Sequence, residues 1–252
     1  MSARPATRLV HVLEVDPDLG NGIAPEQLPL AAGRAIAPLL LFPERGPWAI
    51  DEHSMDGSGH LGMLIVEGML ARRVAVGARG GIELLGPGDV LRPWVRSEFA
   101  LADVNWTVLE SLRIASLDRG FAERVAPWPQ IAGAVSDRML LRARVLGFHL
   151  AVCHLVTVEE RLLMILWHFA ERWGRVTPQG VVVRLHLTHD LLAGVVGARR
   201  PPVTSALSAL AQKGLVTRDE EGAWVLAGPP PETFTELHRQ LGSPIEPAAG
   251  LS

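Results

Sequence analysis

The spacing of apolar positions divides the chain into three stretches, each predicting a different kind of structure. From about Leu39 to Ala115 short aliphatic and β-branched runs alternate with glycine and proline. They are Leu39–Phe42, Gly62–Val66, Leu70–Val76, Ile82–Leu85 and Trp106–Ile114, punctuated by Gly68, Gly77, Gly80, Gly81, Gly86 and Gly88. Many short runs between turn-formers predict an all-β barrel or a double-sheet jelly roll. No helical period of convincing length interrupts them. GARGG (Gly77–Gly81) lies between two such runs, so it reads as a hairpin turn; a phosphate-binding loop would precede a helix. Upstream, residues 1–35 are rich in Pro, Gly and Ala with weak periodicity and predict an arm.

The second stretch, residues 129–156, changes to a helical period. Ala134, Arg138, Leu141, Val145, Phe148, Val152 and Leu155 recur at alternating spacings of four and three, with one charged exception. That is a heptad seam. Met139, Leu146 and Cys153 form a second stripe beside it, one every seven residues. A helix with two apolar faces needs two partners, here its own β domain and a symmetry mate, so it is expected to be a dimerisation helix. Burial within a single large domain is the competing reading.

The third stretch opens at Thr157, where Glu160 three residues later completes a capping box for a helix through about Trp173. A domain break is expected near Thr157. Val181–Leu187 reads as a strand, followed by LTHDLLAGVVGARRPPVTSALSALAQKGLVTR (Leu187–Arg218). Thr188 is an N-cap with Asp190 in the first turn, and Gly197 is where that helix stops. Pro201 and Pro202 fit only the first turn of a second helix. Val203, Ala206, Leu207 and Leu210 give that helix one buried stripe, whereas Thr204, Ser205, Ser208 and Gln212 occupy the other face behind Arg199 and Arg200. A helix that is apolar behind, small and polar in front, and basic at its start suits a DNA major groove. Leu215–Arg218 and Ala223–Leu226, joined by Asp219–Gly222, then read as a hairpin, the wing of a winged helix-turn-helix. An ordinary surface helix hairpin would not require that wing. The expected organisation is an arm (1–35), a β-roll (36–128), a dimerisation helix (129–156), a winged helix-turn-helix (157–229) and a tail (230–252), within an α+β fold class.

Composition narrows the function. Hydrophobic residues make up 48% of the 252 and charged residues 20%, which favours packed domains over general disorder. Net charge is −3, so any nucleic-acid contact must come from a local patch. Arg199, Arg200 and Lys213 supply one with no acid between them. The single cysteine, Cys153, excludes an internal disulfide and a four-cysteine metal site. The N-terminal segment lacks a signal-peptide apolar region and the apolar run Leu162–Trp167 is too short to span a bilayer, so a cytoplasmic protein without a membrane partner is expected.

The order of parts resembles the cyclic-AMP receptor protein/FNR (Crp/Fnr) family of bacterial transcription regulators over residues 39–228. The likeness is carried most strongly by VEERLLMILWHFAERWG (Val158–Gly174) and Leu187–Arg218, and less strongly by Gly62–Leu91. It implies a cyclic-nucleotide-binding-like jelly roll, a homodimer, an inverted-repeat operator in double-stranded DNA and, for an activator, contact with RNA polymerase. It places Arg199, Arg200, Thr204, Ser205 and Ser208 on the DNA side, Arg200 at the family's most regular base-reading arginine, and Thr188 and His189 where the family touches phosphate. Pro201 replaces a common acidic residue, and Ser205 an arginine-type contact, so base preference should differ.

The sensor departs further. Where the family's ribose-binding carboxylate belongs, this chain has Pro93, and Asp103-Val104-Asn105 stand where an arginine and a small hydroxyl residue should precede the next strand. Arg96-Ser97 lies too far upstream unless the loop is rearranged. Cyclic AMP bound in the family manner is not expected, no other cofactor is implied, and one cysteine cannot supply an oxygen-sensing iron–sulfur cluster. Control by a different small effector is compatible with the resemblance, as is constitutive binding. Arg92, Trp94 and Arg96 are the candidate effector-pocket residues.

Other chemistry is weaker. His149 and Cys153 at i, i+4, with His154, lack a further ligand at helical spacing, and His53, Asp56 and His60 with Glu52 lie in a Gly/Ser-rich loop. No catalytic serine elbow, phosphate loop or metalloprotease motif is present, so neither catalytic nor metal residues are expected. A cupin-like β-roll enzyme and a protein-binding adaptor that has lost DNA binding are the alternative classes.

Overall fold

The computed structural model describes residues 8–48, 59–77, 79–93 and 103–241. The chain divides into two compact units, residues 1–146 and 147–252. The division falls inside the long helix, upstream of the break expected near Thr157.

The first unit is built on two antiparallel sheets. One has the order β1 (Arg8–His11), β2 (Ile36–Phe42), β9 (Leu112–Leu117), β4 (Gly62–Glu67), β7 (Val90–Leu91). The other has the order β3 (Gly46–Pro47), β8 (Asp103–Val108), β5 (Leu70–Val76), β6 (Arg79–Leu85). The β5–β6 hairpin turns at Gly77, whose φ of 58° suits glycine. The expected run Trp106–Ile114 is in fact two strands, the end of β8 and the start of β9, separated by Leu109–Ser111.

Why β4 reads as an unbroken apolar run follows from its place. Successive side chains of a strand point to opposite faces. Met63 and Ile65 enter a core with Leu70, Leu85, Leu91, Val108, Leu112 and Ile114. Leu64 enters a second core with Val10, Leu19, Leu117, Phe121 and Ile131. A strand buried on both sides has no polar alternation to show.

That second core corrects the expectation of an N-terminal arm. Residues 8–34 form β1, which pairs with β2 in the register Arg8↔Leu39, followed by α1 (Val12–Val15) and α2 (Leu28–Arg34). Val12, Leu19 and Ala31 are fully buried. The elements are four to seven residues long, too short for either period to declare itself. α3 (Arg119–Val125) follows β9, with Asp118 accepting from the Phe121 amide as N-cap.

The long helix α4 runs Pro129–Cys153, three residues short of the expected end. Its predicted seam is not presented as one open face. Ala134 packs on the first unit's core, Arg138 pairs with Asp16 and Asp18, and Val145 and Leu155 are half-buried. Phe148 and Val152 are buried, at 5% and 2% exposure. Only Leu141 of the set is exposed. The helix is apolar nearly all round, so sequence spacing fixes its period and leaves its phase ambiguous. The open face instead carries Leu140 and Leu150, at 61% and 64% exposure, with Ala143 and Gly147 between them.

In the second unit, α5 (Val158–Trp173) starts at the expected capping box: Thr157 Oγ1 accepts from the Glu160 amide, and the Glu160 carboxylate accepts from the Thr157 amide. A sheet of order β10 (Gly174–Thr177), β11 (Gly180–Val183), β13 (Trp224–Leu226), β12 (Val216–Arg218) packs against α5 and α7 (Arg200–Gln212), and α6 (His189–Val195) packs on α7. The expected tail contains α8 (Glu232–Leu241), whose buried Phe234 lies 6.2 Å, ring to ring, from Phe148.

Candidate nucleic-acid interface

α7 is buried along one side and exposed along the other. Val203, Ala206, Leu207 and Leu210 are buried, whereas Arg199, Arg200, Thr204, Ser205 and Ser208 are exposed. Arg199 is the N-cap residue, with Pro201 and Pro202 in the first turn, where a missing amide hydrogen costs nothing. The turn before it uses Gly197 at φ 63°, close against Cys153, so a β-carbon there would meet Sγ at 3.2 Å.

The start of α6 joins this face. Thr188 caps α6 by accepting from the Leu191 amide. The Thr204 hydroxyl donates to the Arg200 carbonyl at 3.2 Å and lies within hydrogen-bond distance, 2.9 Å, of His189 Nδ1. The Ser208 hydroxyl likewise donates to the Thr204 carbonyl. These bonds hold the hydroxyls against the helix and leave the guanidinium groups as the longest projecting donors. Arg200 Nη1 lies 3.8 Å from Asp190 Oδ2, both side chains exposed. Such a pair is worth little in water and exchanges readily. Lys213 is tied to Glu159 of α5, which leaves the two arginines as the basic end of α7.

The wing is anchored by Arg218. Its guanidinium stacks 4.0 Å from the Trp224 ring and donates to the Leu187 carbonyl. The wing therefore meets the segment that feeds α6. The sequence pattern had not singled out Arg218 or Trp224; a cation facing an aromatic across a hairpin was the available signal.

Of the candidate effector residues only Arg92 is among the described residues. Trp94 and Arg96 lie outside the described residues. Arg92 is exposed and donates to the His60 carbonyl at 3.2 Å. A cavity of about 280 Å³ lies elsewhere, lined by Val15, Asp16, Asp18, Leu64, Val66 and Arg138 among others and not by Arg92. Burial raises the Asp16 carboxyl above its ordinary value, opposed by Arg138 and reinforced by Asp18. Pro93 offers no carboxylate, and Asp103, at the start of β8, is exposed.

One cluster was not legible in advance. Glu83 of β6 accepts from Arg142 Nε and Nη2 of α4 at 2.6 and 2.8 Å, and from Arg72 of β5 at 3.2 Å. Burial pushes this carboxyl up, but the bonds and charge of Arg142, with Arg72, outweigh that and hold it below the ordinary glutamate value.

Of the metal candidates, Glu52, His53 and Asp56 lie outside the described residues. His149 is buried beside Phe148 and His168, and Cys153 Sγ donates to the Val195 carbonyl at 3.8 Å. Among the described residues no group of three or more His, Cys, Asp or Glu side chains is placed to hold a metal.

A family model for the Crp-like helix-turn-helix domain matches residues 160–227. The chain carries a Crp-like helix-turn-helix domain. Its fold is that of the Crp/Fnr regulators: antiparallel sheets, a long helix, then the helix-turn-helix. A CooA mutant from Carboxydothermus hydrogenoformans is 17% identical, with 81% of this chain and 87% of that one covered at a TM-score of 0.57. FixK2 from Bradyrhizobium japonicum is also 17% identical, covering 81% and 96% at 0.57. The c-di-GMP-responsive global regulator CLP from Xanthomonas campestris is 19% identical, covering 80% and 100% at 0.55. At these identities the likeness is one of fold. A UPF0761 membrane protein from Halorhodospira halophila is 35% identical over 91 residues, 32% of this chain; the chain spans only about a fifth of that relative (20%). Among the described residues no helix is long and apolar enough to cross a membrane.

Proposed function

We propose that the protein is a sequence-specific transcription regulator that binds an inverted-repeat operator as a homodimer. The observation that carries this reading is α7 itself, with its apolar side buried, its small hydroxyls held flat, and two exposed arginines at the end that would enter the groove. A guanidinium fork matches guanine O6 and N7, and Arg200 is the base reader, with Arg199, Thr204, Ser205 and Ser208 around it. Thr188 and His189 approach the phosphates. The homodimer forms through the open face of α4, which carries Leu140, Ala143, Gly147 and Leu150. Two copies of α7 then address half-sites about 34 Å, one turn of B-form DNA, apart. A regulator of this kind works in the cytoplasm, contacts RNA polymerase if it activates, and answers to a small effector other than cyclic AMP.

The test is selection of duplexes from a random-sequence pool, followed by fluorescence anisotropy at fixed salt. The expected result is an inverted repeat bound at least about a thousandfold more tightly than random DNA. Enrichment of no sequence would overturn the reading.

A further inference from the structure

The two sides of β4 meet different surroundings. Met63 and Ile65 point into the core shared with Leu70, Leu85 and Val108 of β5, β6 and β8. Leu64 and Val66 lie on the opposite side, which the N-terminal segment and α4 cover. The cavity of about 280 Å³ lies on that outer side, between residues 15–18, residues 64–66, the turn at Pro87 and Gly88, and Arg138 of α4.

Its walls differ in chemistry. Val15, Leu64 and Val66 are apolar, whereas Asp16 and Asp18 share a single guanidinium nitrogen. Arg138 Nη2 lies 3.1 Å from Asp16 Oδ1 and 3.3 Å from Asp18 Oδ2. One cation between two carboxylates leaves a negative charge over. Water screens the exposed Asp18, but the Asp16 side chain is only 11% exposed. Its Oδ2 is buried and accepts no hydrogen bond from the described residues. A buried carboxylate oxygen without a donor is destabilising. Burial raises the Asp16 carboxyl and Arg138 opposes this only in part, so a second cation at Oδ2 would favour the ionised form.

The cavity also sets the kind of cation. A bare metal ion needs about six oxygen ligands, more than two carboxylates provide, and gains nothing from apolar walls. A dry cavity of about 150 Å³ holds benzene, so this one takes a ring or short chain together with a charged arm.

We infer that the cavity binds a small organic cation, a primary ammonium on an aryl or alkyl body, with the ammonium donating to Asp16 Oδ2 and the body lying on Leu64 and Val66. This gives the effector of the reading above a site and a chemistry, and rests on that reading only for the consequence for DNA. Arg138 belongs to α4, the helix that carries Leu140. Its guanidinium also lies against the turn at Gly88, where a β-carbon would meet Nη1 at 3.2 Å. A cation beside Asp16 competes with Arg138 for the carboxylate, and so acts on the helix that would join the subunits.

The experiment titrates the full-length protein with phenethylamine and with phenethyl alcohol, an uncharged analogue of nearly equal size, by calorimetry. One site per chain is expected, with the amine bound about tenfold or more tightly, the difference made by a charge-assisted hydrogen bond. Asp16→Asn should erase that difference and keep the affinity for the alcohol. Val66→Phe, which fills the cavity, should weaken both probes. Equal affinities on the wild type, or no binding of either probe up to millimolar concentration, would overturn the site, and that comparison needs no variant to fold. The consequence for DNA is read separately. Phenethylamine should change the affinity of the wild type for the selected duplex about fivefold or more, the lower end of ordinary coupling between sites, and leave that of Asp16→Asn unchanged. An unchanged wild type would overturn the regulatory role while calorimetry upheld the site. Failure to select any sequence would remove the DNA reading and leave the calorimetric result standing.

Discussion

Arg142 and Glu83 meet as a bidentate pair, Nε to Oε1 at 2.6 Å and Nη2 to Oε2 at 2.8 Å, where Glu83 is only 5% exposed. Arg72 adds a further bond to Oε2 at 3.2 Å, with its guanidinium 5.7 Å from the Trp106 ring. One carboxylate thus ties β5, β6 and the long helix together. Removing it leaves two partly buried guanidinium groups facing one another, and breaking a buried pair costs about 3–5 kcal/mol. Glu83→Ala is expected to lose about that much in urea unfolding of the first unit. Glu83→Leu, which removes the same carboxylate from both guanidinium groups, should do no better; recovery by leucine would show that packing, not charge, is what Glu83 supplies.

The same pair fixes a pH dependence. The folded-state value of Glu83 lies below its ordinary 4.5, so its contribution is fully present above that value and is lost as pH falls through the lower folded one. The stability gap between wild type and Glu83→Gln should therefore be constant at neutral pH and shrink below 4.5. A gap that stays level into acid would show that the carboxylate carries no special stabilisation.

Phe148, which the heptad pattern placed in the dimer seam, and Leu140, which it left out, have different surroundings. Phe148 is enclosed by its own unit, with ring centroids 5.2 Å from His168 and 6.2 Å from Phe234. Phe148→Ala should cost about 3–5 kcal/mol of stability in the second unit. Leu140 and Leu150 lie on the open face of α4, so Leu140→Glu with Leu150→Glu should leave stability nearly intact and yield monomers in sedimentation. A dimer that survives this double change would place the interface elsewhere.

What could be read from the sequence follows from how many periods each element offers. α5 and α7 span 16 and 13 residues with caps and prolines at diagnostic positions, and both were legible to within a residue or two. The N-terminal elements were not, because four residues of β1 carry one buried side chain, Val10. The Glu83–Arg142 pair joins positions 59 apart, and nothing local marks either residue as buried. Phe234 and α8 did leave a trace, since Pro229, Pro230 and Pro231 precede an apolar spacing at Phe234, Leu237 and Leu241. The face of the long helix that stays open depends on which side each unit covers, and that is a tertiary fact.

Cys153 offers a simple check on the packing behind the helix-turn-helix. Burial raises its thiol above the ordinary 9.0, with the Arg161 charge opposing in part. The thiolate is the reactive form, so alkylation at neutral pH should be much slower than for a free thiol and should accelerate only on unfolding. Gly197 lies 3.2 Å from Sγ at the position a β-carbon would take, in a backbone conformation that side chains rarely adopt. Gly197→Ala should accordingly loosen this contact and speed the reaction. Rapid labelling of the folded wild type would show that the helix-turn-helix packs on the end of α4 less closely than drawn.

Arg200 and Asp190 set the last expectation, because the two changes should have opposite signs. With Arg200 as the proposed base reader, Arg200→Ala should cost about 1–3 kcal/mol at the selected operator and relax preference at one position. Asp190→Asn removes a carboxylate 3.8 Å from that guanidinium and with it a negative charge on the proposed DNA face, so it should raise affinity for every sequence alike. The distinction lies in the ratio of selected to random DNA: it falls for Arg200→Ala and holds for Asp190→Asn. If Arg200→Ala weakened both kinds of DNA equally, the arginine would be a phosphate contact, and sequence preference would have to come from Arg199, Ser205 or the shape of the duplex.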